Sequence, residues 1–141
     1  MTDRLHAQDY PIAETCPENV LGSRGKPLDS LTLDAVMDGS IGMEDLRITS
    51  RALLQQAQIA KSVGRSTLAG NLERAAEMTD IPSADVMQIY ELLRPGRAGA
   101  KEDLLAAANR IRTDHNAPLL ADFIEEAAEF YARRGLFKKR Y

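Results

Sequence analysis

With 141 residues, a net charge of −3, an isoelectric point near 5.4 and one cysteine, the chain has the length of a single domain. It lacks the positive field that draws proteins to nucleic acid or anionic lipid, cannot close an internal disulfide and holds no cysteine cluster for zinc. Hydrophobic residues make up 44% of the sequence, but 20 of them are alanines against three Phe and no Trp, so the self-contained core should be thin and should favour partners.

The first element, DYPIAETCPENV at residues 9–20, is apolar yet follows neither the helical nor the strand period, and Pro11 and Pro17 interrupt both hydrogen-bond ladders. It is expected to be an irregular, extended arm with little of its own to pack against, joined by the loop LGSRGKPLDS (21–30) to a helical domain at 31–141. Thr32 can cap a short helix carrying Leu33, Val36 and Met37 that stops at Gly39. After a polar turn, Thr49 can cap a longer helix with Leu53, Ala57, Ala60 and Val63 on one stripe, ended by Gly64. Ser66 opens a third, with Leu68, Leu72, Ala75 and Ala76 as its face, and Ile81-Pro82 stops it. Ser83 caps a fourth, carrying Val86, Ile89, Tyr90 and Leu93, and GRAGA (96–100) then reads as a flexible break. A fifth runs from about Lys101 with Leu104, Leu105, Ala108 and Ile111. Pro118 opens a sixth with Leu120, Phe123, Ile124, Ala127 and Tyr131, which Gly135 ends.

No run alternates like a strand and no solenoid repeat is present, so the fold class is all-α: a small open helical bundle with an irregular N-terminal arm. Met1 to Ala7 has no signal-peptide apolar region and no run approaches the ~18 residues of a membrane span, so a cytoplasmic chain with neither membrane nor nucleic-acid partner is expected.

Chemistry is hard to find. His6 and His115 lie outside any ligand-spaced cluster and read as surface or capping residues. There is no glycine-rich phosphate loop, no nucleophile elbow and no Cys/His arrangement. The acidic pairs Glu44-Asp45, Glu102-Asp103 and Glu125-Glu126 are adjacent on helices and diverge, which fits solvated faces better than acid/base pairs. The cations from Arg133 to Arg140 offset a helix dipole. Catalytic, cofactor-binding and metal-binding residues are therefore expected to be absent. QAQIAKSVGRSTLAGNLER (56–74) has the spacing of a helix-turn-helix, which would make a DNA-binding regulator, but Glu73 and Glu77 sit on the would-be recognition helix beside only Arg65 and Arg74. An ordinary corner between two helices, with small Ala60 allowing close packing, reads better.

DYPIAETCPENV, DLRIT (45–49) and NLERAAEMTDIPSADVMQIYELLRP (71–95), followed by EDLLAAA and ADFIEEAAEFYARR, resemble the small, or gamma, subunit of the adenosylcobalamin-dependent glycerol and propanediol dehydratases, from Asp9 almost to the C-terminus. The resemblance implies a lyase of large (alpha), medium (beta) and small (gamma) subunits, two copies of each, that turns a vicinal diol into an aldehyde and water by radical chemistry. It also implies adenosylcobalamin held by the large and medium subunits, none bound by this chain alone, and a helical small subunit seated on the large one without catalytic residues. A bacterial microcompartment is the alternative location. Departures are a longer, glycine-richer linker after LRP and Glu91-Leu92 in place of a more common Asn-Ala pair. Only eight residues precede Asp9, which leans toward the glycerol type. The arm residues Tyr10, Ile12, Cys16, Val20 and Leu21 are the expected docking set, because fixing so many backbone residues costs more than their burial on a small bundle returns. The competing class is a helical adaptor with an unrelated partner.

Overall fold

The computed structural model describes residues 4–137. Helices carry the fold and no strand occurs among the described residues; a single bridge pairs Leu21 with Pro27. The chain divides into two compact units, Met1–Thr79 and Asp80–Tyr141.

In the first unit the arm is a chain of single turns: a 3₁₀ turn at Ala7–Asp9, α1 (Ile12–Thr15) and a second 3₁₀ turn at Pro17–Asn19. The expected extended path is thus broken into turns. Each proline opens or precedes a turn whose first N–H groups need no partner, which is where proline is tolerated. After a third 3₁₀ turn (Leu28–Ser30) come α2 (Leu33–Met37) and α3 (Met43–Leu46). Thr32 caps α2 as expected, its side chain accepting from the Ala35 N–H at 3.2 Å, whereas α3 occupies what the sequence suggested was only a polar turn. α4 (Ser50–Ser62) begins at Thr49, whose hydroxyl oxygen accepts from the Ala52 N–H, and ends before Gly64 at φ +75°, a conformation that favours glycine.

α5 (Ser66–Met78) folds back against α4. Ala57, Ala60 and Ala69 are buried at the seam with Leu72 packed beside them, so alanine lets the two backbones approach closely. The expected stripe shifts accordingly: Leu53, Ala57 and Ala60 are buried, but Val63 and Leu68 are exposed while Ala69 and Ala76 take the inner positions. Lys61 pairs with Glu73 across this hairpin. The 56–74 segment is a close-packed corner of two helices, with one of its few cations, Lys61, paired to the partner helix.

The second unit holds α6 (Ser83–Leu93), α7 (Lys101–Asp114) and α8 (Pro118–Arg134) around one core. Ile89, Leu104, Ala108, Ile111, Leu120 and Ile124 are buried as their spacing predicts, with Tyr131 partly buried against them. Phe123 and Tyr90 are exposed. Pro82 rather than Ser83 is the N-cap of α6, and Gly135 closes α8 at φ 65° as expected. The GRAGA linker is folded in and is not a free break: Ala98 is buried, and Asp103 accepts from the N–H groups of Gly99 and Ala100 at 2.9 and 3.0 Å. Lys138 to Arg140 of the basic tail lie outside the described residues.

Candidate functional site

The arm lies along α4. Leu5 is buried and its N–H donates to Gln58 Oε1 at 3.1 Å, while Arg51 and Gln55 reach the side chain and carbonyl of Asn19, both at 3.4 Å. The arm therefore has a surface of its own chain to pack against, which periodicity could not reveal because its contacts come from single turns. Tyr10, Ile12, Val20 and Leu21 converge on one open groove, faced by Thr49, Ala52, Gln55 and Gln56 of the α4 region. Cys16 lines a neighbouring groove with Leu54 and Gln58. Four of the five expected docking residues are thus brought together and the fifth lies on an adjoining wall. Tyr10 is 67% exposed; the other four are half-buried.

The loop after the arm forms a clasp on α3. Asp45 is the one buried charged residue among those described, although the Glu44-Asp45 pair had read as a solvated face. Its carboxylate accepts from Arg24 Nε at 2.8 Å, from Arg24 Nη2 and from the Gly42 N–H at 2.9 Å, which closes the N-terminus of α3. The Arg24 guanidinium, then the Gly42 N–H, hold the Asp45 carboxyl well below the usual carboxylate range against the opposing effect of burial. Ser23 Oγ donates to the Glu44 carbonyl at 2.8 Å, and Lys26 reaches the Ser40 carbonyl. Gly22 passes so close that a Cβ there would meet the Asp45 carbonyl oxygen at 3.1 Å.

This clasp holds a segment whose apolar side chains face away from the chain. Leu33 (76%), Met37 (79%) and Met43 (74%) are the most exposed large hydrophobic residues described, and Val36, Leu46 and Ile48 are exposed beside them in sequence. Leu33, Val36 and Met37 stand at i, i+3 and i+4, one face of α2. The expected docking set did not include them. The available signal was a strong apolar triplet on a helix of five residues, too short to bury both its faces.

Little else resembles chemistry. Among the described residues no three His, Cys, Asp or Glu side chains converge as a metal site, and no helix is long and apolar enough to cross a membrane. His115 caps α7, with Nε2 3.2 Å from Asp85 Oδ2, and His6 is exposed at the N-cap of the first turn. Residues 5–138 match the family model described as dehydratase small subunit.

The chain belongs to the dehydratase small-subunit family. It is 43% identical over 130 residues to the propanediol dehydratase small subunit of Salmonella typhimurium (strain LT2), covering 92% of this chain and 75% of that one. Identity to the propanediol dehydratase small subunit of Citrobacter freundii is 42% over the same shares. A dehydratase small subunit works in a complex with partner subunits, so apolar surface left uncovered in this chain is the first place to look for its contacts.

Proposed function

We propose that the chain is the non-catalytic small subunit of an adenosylcobalamin-dependent vicinal-diol dehydratase, docking on and stabilising the large catalytic subunit in a complex with two copies each of large, medium and small subunits. The observation that carries the reading is the match to propanediol dehydratase small subunits across 92% of the chain, with the family model covering residues 5–138 and so the arm and both helical units. Because both relatives are named for propanediol, 1,2-propanediol is favoured over glycerol, against the lean drawn from the short start before Asp9.

Adenosylcobalamin, bound in the assembly, supplies the radical chemistry of the dehydration. The resemblance assigns that cofactor to the large and medium subunits, and no residue of this chain is given a role in holding it. No step is assigned to the chain. Its contribution is surface, with Tyr10, Ile12, Cys16, Val20 and Leu21 lining grooves that a partner's side chains can fill and Tyr10 having the most area to bury. The adaptor and DNA-binding readings have no comparable support.

The test is reconstitution. Large and medium subunits prepared with and without this chain are compared for conversion of 1,2-propanediol and glycerol to aldehyde and for thermal stability. The chain alone is expected to be inactive, and the complex lacking it to lose most turnover or to melt several degrees lower. Equal activity and equal stability without the chain would overturn the structural role.

A further inference from the structure

We propose that the exposed apolar side chains of the 33–48 segment, Leu33, Val36 and Met37 on α2, Met43 and Leu46 on α3 and Ile48 just after it, are a preformed docking surface for a neighbouring subunit of the dehydratase whose matching patch is apolar and rimmed by Arg or Lys. The inference rests on the small-subunit reading and assigns it a surface separate from the arm groove.

Three observations carry it. First, the segment is held in place by contacts that do not use its exposed apolar side chains. Helices of five and four residues do not persist alone in water. These are held from behind by buried Ile41, whose N–H donates to the Ala35 carbonyl at 3.0 Å, by Ser40 Oγ on the same carbonyl, and by the Arg24–Asp45–Gly42 clasp. The fold orders a segment while leaving its large hydrophobic side chains in water, an arrangement that lowers the entropy lost when a partner covers them.

Second, the apolar exposure is concentrated. Six large hydrophobic residues between 46% and 79% exposed fall within residues 33–48, the concentration that marks an interaction surface rather than scattered exposed side chains.

Third, charge selects the occupant. Once Arg24 and Asp45 neutralise each other, Asp29, Asp34, Asp38 and Glu44 stand against only Lys26 and Arg47 in residues 22–48. The Asp38 carboxyl is held below its ordinary value by hydrogen bonds from Ser40 and stays charged. A second copy of this chain would bring acid against acid across a two-fold axis, and an anionic membrane would be repelled. A cationic rim on a different subunit is attracted.

The experiment uses the full-length chain and tagged large and medium subunits. Wild type, Leu33→Ser/Met37→Ser and the control Met87→Ser, which changes an exposed residue of α6, are titrated onto the other two subunits, with circular dichroism checking that each is folded. The double variant is expected to bind about 100-fold more weakly and the control like wild type. Asp34→Lys/Glu44→Lys is expected to slow association at low salt; faster association would overturn the cationic rim. If wild type binds and the double variant binds equally well, the face is not the interface and the small-subunit reading stands. If wild type does not bind at all, that reading fails and takes this one with it. A dimer of the isolated chain in sedimentation, dissociated by the double variant, would make a second copy the occupant and overturn the proposal.

Discussion

Leu104→Ala is expected to destabilise the second unit by about 2–5 kcal/mol. Leu104, Ile111 and Ile124 are the largest fully buried side chains described, each at 0% exposure. The unit is short and many of its other buried positions are alanines: Ala98, Ala108, Ala117, Ala121 and Ala128. Alanine contributes little apolar area, so a few large side chains carry most of the burial, and removing one forfeits its transfer free energy and leaves a cavity in a close-packed core. Set against the 5–15 kcal/mol that a domain commonly has, the loss is a large share. Leu105→Ala, one residue on but exposed, is the control and should cost less than about 1 kcal/mol. Urea denaturation followed by circular dichroism reads both. Similar midpoints for the two variants would mean that the core does not depend on the 104, 111 and 124 layer.

Asp45→Asn should destabilise the first unit at neutral pH and flatten its response to acid. The folded-state pKa of Asp45 lies below its ordinary value, so the unfolded chain takes up the proton first as pH falls. The stabilisation is therefore complete above the ordinary carboxylate value of about 4 and drains away as pH drops below it. Asparagine can still accept one hydrogen bond at the α3 N-terminus but cannot attract the Arg24 guanidinium as a charge. The variant is expected to start lower at pH 7, to lack this part of the acid limb and to close progressively on wild type as pH falls from 4 toward 2. Thermal melts at pH 7, 5, 4, 3 and 2 test it; parallel curves separated by a constant offset would show that charge at Asp45 does not hold the clasp.

Helix type and most boundaries were legible because the 3.6-residue spacing of Leu104, Ala108 and Ile111, or of Leu120 and Ile124, carries the burial of long helices. Caps at Thr32 and Thr49 and stops at Gly64 and Gly135 were legible for the same local reason, since each depends on one residue's side chain or its permitted φ. The inner face of α5 was not: size alone ranks Leu68 above Ala69, yet at a close helix–helix seam the smaller residue takes the inner position. Asp45 was read as solvated because its partner Arg24 lies 21 positions away and no periodic pattern links a loop cation to a helix N-terminus. The exposed side chains of α2 and α3 are not legible as such in the sequence, because amphipathic spacing implies an inward face and nothing local encodes that these helices are held from their other side. The arm residues were placed in a common groove by α4, a surface the arm's own pattern does not encode.

Amide hydrogen exchange on the full-length chain, free and assembled with the large and medium subunits, tests most directly whether this chain acts through its surface. Residues 9–21 and 31–48 are predicted to exchange markedly more slowly in the complex, while the α7–α8 core, already buried in the free chain, changes little. Equal exchange of both segments in the two states, in a complex that nevertheless contains the chain, would contradict the account.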